Sequence, residues 1–92
     1  MEFNQYNTTV QQWIHTVLEN RETNADVVLE CCRDIIAYGR KTDDSKLMGF
    51  GFFYGGEIYY ELNDGAHFFH MMTEALTYLD RAEAVSYTHL RA

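Results

Sequence analysis

The chain has no proline, only two cysteines, and only seven basic residues against fourteen acidic ones. Proline breaks helices because its ring clashes with the carbonyl four residues back and it has no N–H to donate, so its absence favours long uninterrupted helices. The two cysteines, Cys31 and Cys32, are neighbours in sequence. Adjacent cysteines rarely bridge each other, and with no third cysteine a disulfide framework is excluded. A reducing, cytoplasmic setting is therefore expected. The shortage of basic residues leaves a net charge of -7. Such a chain repels phosphate backbones, and no nucleic-acid partner is expected. No apolar run approaches the ~20 residues of a membrane span, so no membrane partner is expected either. The first residues, Met1 to Gln5, lack the basic and apolar regions of a signal peptide.

What the chain does have is apolar and aromatic residues, at 47% and 15%. That is ample for a packed core and argues against disorder. Ninety-two residues make at most one small domain. The apolar pattern predicts four helices, two antiparallel helical hairpins, in an all-α fold. Helix one is expected over Phe3–Glu19, where Phe3, Tyr6, Val10, Trp13, Ile14, Val17 and Leu18 recur in steps of three and four. Helix two is expected over Ala25–Arg40, capped by Thr23 or Asn24 and striped by Val27, Val28, Cys31, Cys32, Ile35, Ile36 and Tyr38. Helix three is expected over Ser45–Leu62. It is apolar nearly all round, from Leu47 to Leu62, which predicts burial between neighbours. Its glycines at 49, 51, 55 and 56 each cost ~1 kcal/mol of helix stability, and Phe52-Phe53-Tyr54 suits a strand equally well. Helix is preferred, because small residues let adjacent helices approach closely. After the turn at Asn63-Asp64-Gly65, helix four is expected over Ala66–Glu83, with Phe68, Phe69, Met71, Met72, Ala75, Leu76 and Leu79 inward.

The last eight residues, Val85-Ser-Tyr-Thr-His-Leu-Arg-Ala92, resemble a sequencing adapter translated in frame. The resemblance implies that residues 1–84 are a truncated helical-repeat fragment and that 85–92 are a non-native tail. Without Arg91 the remainder has six basic and fourteen acidic residues, a net -8.

The two predicted hairpins are of similar size, which suggests an internal repeat. The second, from Tyr54-Gly-Gly-Glu-Ile-Tyr-Tyr to Met-Met-Thr-Glu-Ala-Leu76, resembles a tetratricopeptide repeat. That repeat places small residues where its two helices cross and fills the space between them with aromatics. The resemblance implies repeat-packing roles for Gly56, Tyr59, Phe68, Met72 and Ala75. Departures are Phe68 where alanine is usual, Asn63 where glycine is usual, and Asp80 where proline is usual. In the first hairpin Val28, Cys32 and Ile35 hold comparable places about 40 residues earlier, longer than the usual ~34.

A narrower resemblance rests on Ile35-Ile-Ala-Tyr-Gly-Arg-Lys41 and on Leu47 to Asp64. These runs look like the N-terminal repeat region of certain bacterial diguanylate cyclases, which precedes a GGDEF catalytic domain. The resemblance implies a parent enzyme that makes cyclic di-GMP from two GTP molecules with magnesium. Gly55-Gly56-Glu57 is not the GGDEF signature, since the Asp-Glu-Phe order is absent, and no catalytic residue or cofactor is carried over.

Chemistry within the chain is sparse. His67, His70 and Glu74, at i, i+3 and i+7 of helix four, could form three metal ligands of a small metal-dependent enzyme; a polar outer face is the simpler account. Cys31 and Cys32 sit among apolar neighbours, which suits a buried small side chain better than a reactive pair. Trp13 and the aromatic stretch Phe50–Tyr60 suit packing better than ligand binding, Asp43-Asp44 suits the start of helix three, and His15 is isolated. The expected function is therefore a non-catalytic regulatory module whose repeat surface binds a protein or peptide partner or self-associates. About three repeats normally make a stable array, so a two-hairpin fragment is expected to be marginally folded or self-associating.

Overall fold

The computed structural model describes the backbone of residues 3–91 and the side chains of residues 3–82. It contains four helices in chain order: α1 (Thr8–Asn20), α2 (Ala25–Lys41), α3 (Ser45–Glu61) and α4 (Gly65–Arg91). No strand occurs among the described residues. The all-α expectation of helical hairpins holds, including the glycine-rich α3. The helices pack in sequence order, α1 on α2, α2 on α3 and α3 on α4, with little contact between non-neighbours.

Each helix begins at an Asn or Asp whose side chain accepts a backbone N–H that the first turn leaves unsatisfied. Asn7 takes Val10, Asn24 takes Val27, Asp44 takes Leu47 and Asp64 takes His67. The Asn7 cap moves the start of α1 to Thr8, five residues later than the apolar pattern predicts. Phe3 and Tyr6 keep the spacing of a helical stripe but lie in the segment before the cap. There Phe3 meets the Phe50 ring edge-on at 5.3 Å, and the Tyr6 hydroxyl donates to Asp44 at 2.8 Å. Burial, then the bond to Asp44, raises the Tyr6 phenol above its usual range.

The corners after α2 and α3 share one construction, twenty residues apart. Asp43 (φ 53) and Asn63 (φ 59) take the left-handed conformation that ends a helix. The Asp44 N–H bonds the Gly39 carbonyl at 2.8 Å, and the Asp64 N–H bonds the Tyr59 carbonyl at 2.9 Å. Asp43 and Asn63 bond back to the Arg40 and Tyr60 carbonyls. This is the paired closure of a Schellman motif, followed at once by an Asp cap for the next helix. The α1–α2 corner is simpler. Thr23 and Asn24 both bond the Asn20 carbonyl, and neither has a positive φ.

The main core joins three helices: Val10, Ile14 and Val17 from α1, Val28, Cys32 and Ile35 from α2, and Leu47, Phe50 and Ile58 from α3. Branched aliphatic side chains dominate it. A second, smaller cluster of Met48, Phe52 and Ala75 lies between α3 and α4, flanked by Ile36, Met71 and Tyr78. The α3 glycines lie where neighbouring helices come closest. A Cβ at Gly51 would fall 3.0 Å from the Cys32 carbonyl oxygen of α2. A Cβ at Gly49 would meet the Leu79 side chain of α4 at 2.6 Å.

Three expectations need correction. Tyr60 and Phe53 of α3 are exposed, because α2 and α4 flank α3 but no further layer covers it. Phe69 and Leu76 of α4 are 73% and 65% exposed rather than inward. The inward stripe of α4 is Phe68, Met71, Met72, Ala75 and Leu79; Phe69 and Leu76 lie beyond its edge. Finally, α4 starts at Gly65 and continues to Arg91, past the expected end at Glu83, since the sequence there holds no glycine or proline to stop it. The side chains of Val85–Ala92 lie outside the described residues.

Candidate functional site

The residues singled out for repeat packing meet at the α3–α4 crossing. A Cβ at Gly56 would lie 3.1–3.3 Å from Met71 and Met72. Ala75 is buried in the same seam. Tyr59 stacks on His67 with centroids 4.7 Å apart and planes 21° from parallel. Phe68 lies beside Tyr60 at 5.3 Å. Small residues thus lie at the crossing and rings at its end.

The histidines of α4 are employed differently from the metal reading. His67 Nδ1 lies 2.8 Å from Asp64 Oδ2, and the same aspartate accepts the His67 backbone N–H. These bonds, the backbone one first, hold the Asp64 carboxyl below its usual range. Asp64 and Tyr59 thus engage His67 at the start of α4, while His70 is exposed a turn later. Among the described residues no group of three His, Cys, Asp or Glu side chains is placed to hold a metal ion, and His67, His70 and Glu74 do not assemble as one.

Cys32 is buried between α2 and α3, and burial pushes its thiol up to about 12, with Cys31 adding to the effect. A thiol with that environment is poorly nucleophilic near neutral pH. Cys31 is partly exposed, and its thiol is raised by burial and by the carboxylates of Asp34 and Glu30. Trp13 packs edge-on against Tyr38 at 6.2 Å, closing the α1–α2 hairpin. Asp44 caps α3, as the sequence suggests, whereas Asp43 supplies the left-handed turn residue.

Two features remain with no internal use. The first is an open apolar groove of about 400 Å³ between α1 and α4. Gly49, Phe50, Phe53 and Tyr54 of α3 form its floor, with Phe3 and Leu18 on one side and Leu79 on the other. Its rings are mutually braced: Phe50 lies 4.6 Å from Tyr54, and Phe53 meets Tyr54 edge-on at 5.1 Å. Leu18 stands 41% exposed at its rim. Periodicity counts Leu18 and Phe53 as core, and only the positions of the other helices show that they border an opening. The second is the outer face of α4, with Phe69 and Leu76, continued by Leu62, 55% exposed, just before the helix.

A further depression of about 410 Å³ is lined by Arg21, Glu22, Glu57, Tyr60, Glu61 and Phe68 among others. Arg21 partly neutralises it, pairing with Glu57 at 3.2 Å while lying 5.1 Å over the Tyr54 ring. Among the described residues no helix is long and apolar enough to cross a membrane. No protein-family model, curated protein or solved structure matches this chain.

Proposed function

We propose that this chain is a non-catalytic, cytoplasmic protein-interaction module of tandem helical hairpins, similar to a tetratricopeptide array, that binds the apolar side chains of a peptide or protein partner in the groove between α1 and α4. The observation that carries this reading is the groove itself. It has a rigid aromatic floor on one helix, walls from two helices that scarcely touch each other, and large apolar side chains left partly in water. Exposed apolar surface of this kind marks interaction sites. Packing of each helix on its chain neighbours, and small residues at the α3–α4 crossing, support the repeat reading. In the signalling parent that the sequence resemblance implies, occupancy of the groove would bias how attached catalytic domains meet.

The test is selection of peptides from a random display library on the purified chain, followed by titration against Leu18→Glu and Phe53→Glu variants. The expected result is peptides with one or two large apolar residues that lose at least tenfold in affinity against both variants. Peptides binding the variants as well as the parent, or no enrichment, would overturn the reading.

A further inference from the structure

We propose that a small pocket between α2 and α4 binds an organic anion, with a carboxylate or phosphate head on a compact apolar body. The pocket shares no lining residue with the α1–α4 groove, and the inference stands on different observations.

The pocket measures about 220 Å³. Leu29 and Ile36 of α2, Met71 of α4 and the Tyr59 ring of α3 give it apolar walls. Its charged lining is Arg33 and Arg40, and no carboxylate lines it. Glu30 and Asp34, the nearest carboxylates in sequence, stay outside the lining. The depression beside Arg21 is the opposite case, with Glu22, Glu57 and Glu61 around one arginine. Arg33 and Arg40 are also the two arginines left without a partner among the described residues. Arg21 pairs with Glu57 and lies over Tyr54, and Arg81 lies over Tyr78. Neither Arg33 nor Arg40 has an ion pair, a hydrogen bond or a ring contact there. In a chain with a net charge of -7, an anion is repelled from most of the surface. This pocket is where apolar walls and unspent positive charge coincide.

The spacing suits one head group. Arg33, Ala37 and Arg40 stand on successive turns of one face of α2, with the arginines ~10 Å apart along the axis. Ala37 between them is exposed and ends in a methyl, so both arms can close over it on a single anion. The guanidinium fork matches the paired oxygens of a carboxylate or a phosphate. Tyr59 is already held in place. Its ring stacks on His67 at 4.7 Å, and His67 Nδ1 lies 2.8 Å from Asp64 Oδ2. The Tyr59 hydroxyl has no hydrogen-bond partner among the described residues and supplies a third donor. The volume falls below the ~300–1,000 Å³ of sites for drug-sized ligands, so the body is a single aromatic ring or a short alkyl chain.

The test is calorimetric titration of the full chain with phenylacetate, hexanoate and phenyl phosphate. Phenylacetamide, hexylamine and inorganic phosphate serve as probes that lack the charge, reverse it or lack the body. At least one amphiphilic anion should bind with a Kd below about 1 mM, and the three control probes at least tenfold more weakly. Preference for phenyl phosphate would assign a phosphate head, and preference for phenylacetate or hexanoate a carboxylate. Arg33→Gln and Arg40→Gln should each weaken binding at least fivefold with helicity unchanged. Ala37→Leu, an exposed substitution by a good helix former, should abolish it by filling the gap between the arginines. Phe53→Glu, in the other groove, should leave it intact. No binding by any of the three anions, equal binding of phenylacetamide, or binding that survives Ala37→Leu would overturn the proposal. Binding lost in Phe53→Glu but kept in Ala37→Leu would also overturn it, by placing the ligand in the α1–α4 groove. Failure of peptide selection with anion binding intact would bear only on the groove.

Discussion

The packing of α3 against α2 and its packing against α4 use opposite means. On the α2 side, α3 shares a core of branched aliphatic side chains, and at Gly51 it nearly touches the α2 backbone. On the α4 side it offers Gly49, Gly55 and Gly56 to Leu79, Met71 and Met72, long flexible side chains that lie against it. Branched side chains with few rotamers fill one arrangement well. Methionines adapt to many. The α1–α3 core is therefore filled by stiff side chains, and the α3–α4 seam largely by flexible ones.

The largest expected break in this contrast is Ile35→Ala. Ile35 is fully buried in the three-helix core, so the lost methylenes and the cavity left behind should cost about 3–4 kcal/mol, read by urea denaturation. Leu79→Ala, half-buried on α4, should cost less than half as much. Asp44→Ala comes next. It removes the α3 cap and the acceptor for Tyr6 together, and a loss of about 2 kcal/mol is expected in the same assay. Asp44→Asn should recover most of it.

The glycines sharpen the comparison. Alanine gains ~1 kcal/mol over glycine inside a helix. At Gly51 the new methyl meets a carbonyl oxygen at 3.0 Å, and backbone cannot yield cheaply, so Gly51→Ala should destabilise by about 1–2 kcal/mol net. At Gly55 the close atom is the Met71 terminal methyl at 2.5 Å, the far end of a flexible chain. Gly55→Ala should therefore be neutral or stabilising by up to ~1 kcal/mol. Equal losses at the two sites would refute the distinction.

At neutral pH the thiols contribute no such difference, and their effect emerges only in alkali. Burial pushes the Cys32 thiol up to about 12 in the folded chain, against about 9 for a free thiol. A group whose pKa is raised on folding stabilises the fold fully below the unfolded value and loses that contribution as pH rises through the folded one. Stability should accordingly fall between about pH 9 and 12, with Tyr6 contributing in the same direction at the alkaline end. Maleimide at neutral pH should label Cys31 slowly and Cys32 only on unfolding, followed by mass spectrometry.

Much of this molecule was legible in the chain. The absence of proline, the three-and-four spacing of apolar residues and the Asn or Asp before each helix set four helices, with the bounds of α2 and α3 and the start of α4 within a residue of those observed. They did so because capping and periodicity are local, acting within one turn of the residue concerned. Asn7 shows the limit: the apolar stripe continues through Phe3 and Tyr6, but a side chain accepting the Val10 N–H ends the helix first. Which apolar residues are buried was decided only by the tertiary structure. Phe52 and Phe53 are neighbours in one aromatic run, yet the first packs in the α3–α4 seam and the second edges a groove. Phe69 belongs to a helix with a buried stripe and lies outside it. The sequence by itself determined that the helices would form and where they would turn. The choice of faces that cover each other depended on how four cylinders stack, and that stacking left the groove and the outer face of α4 open.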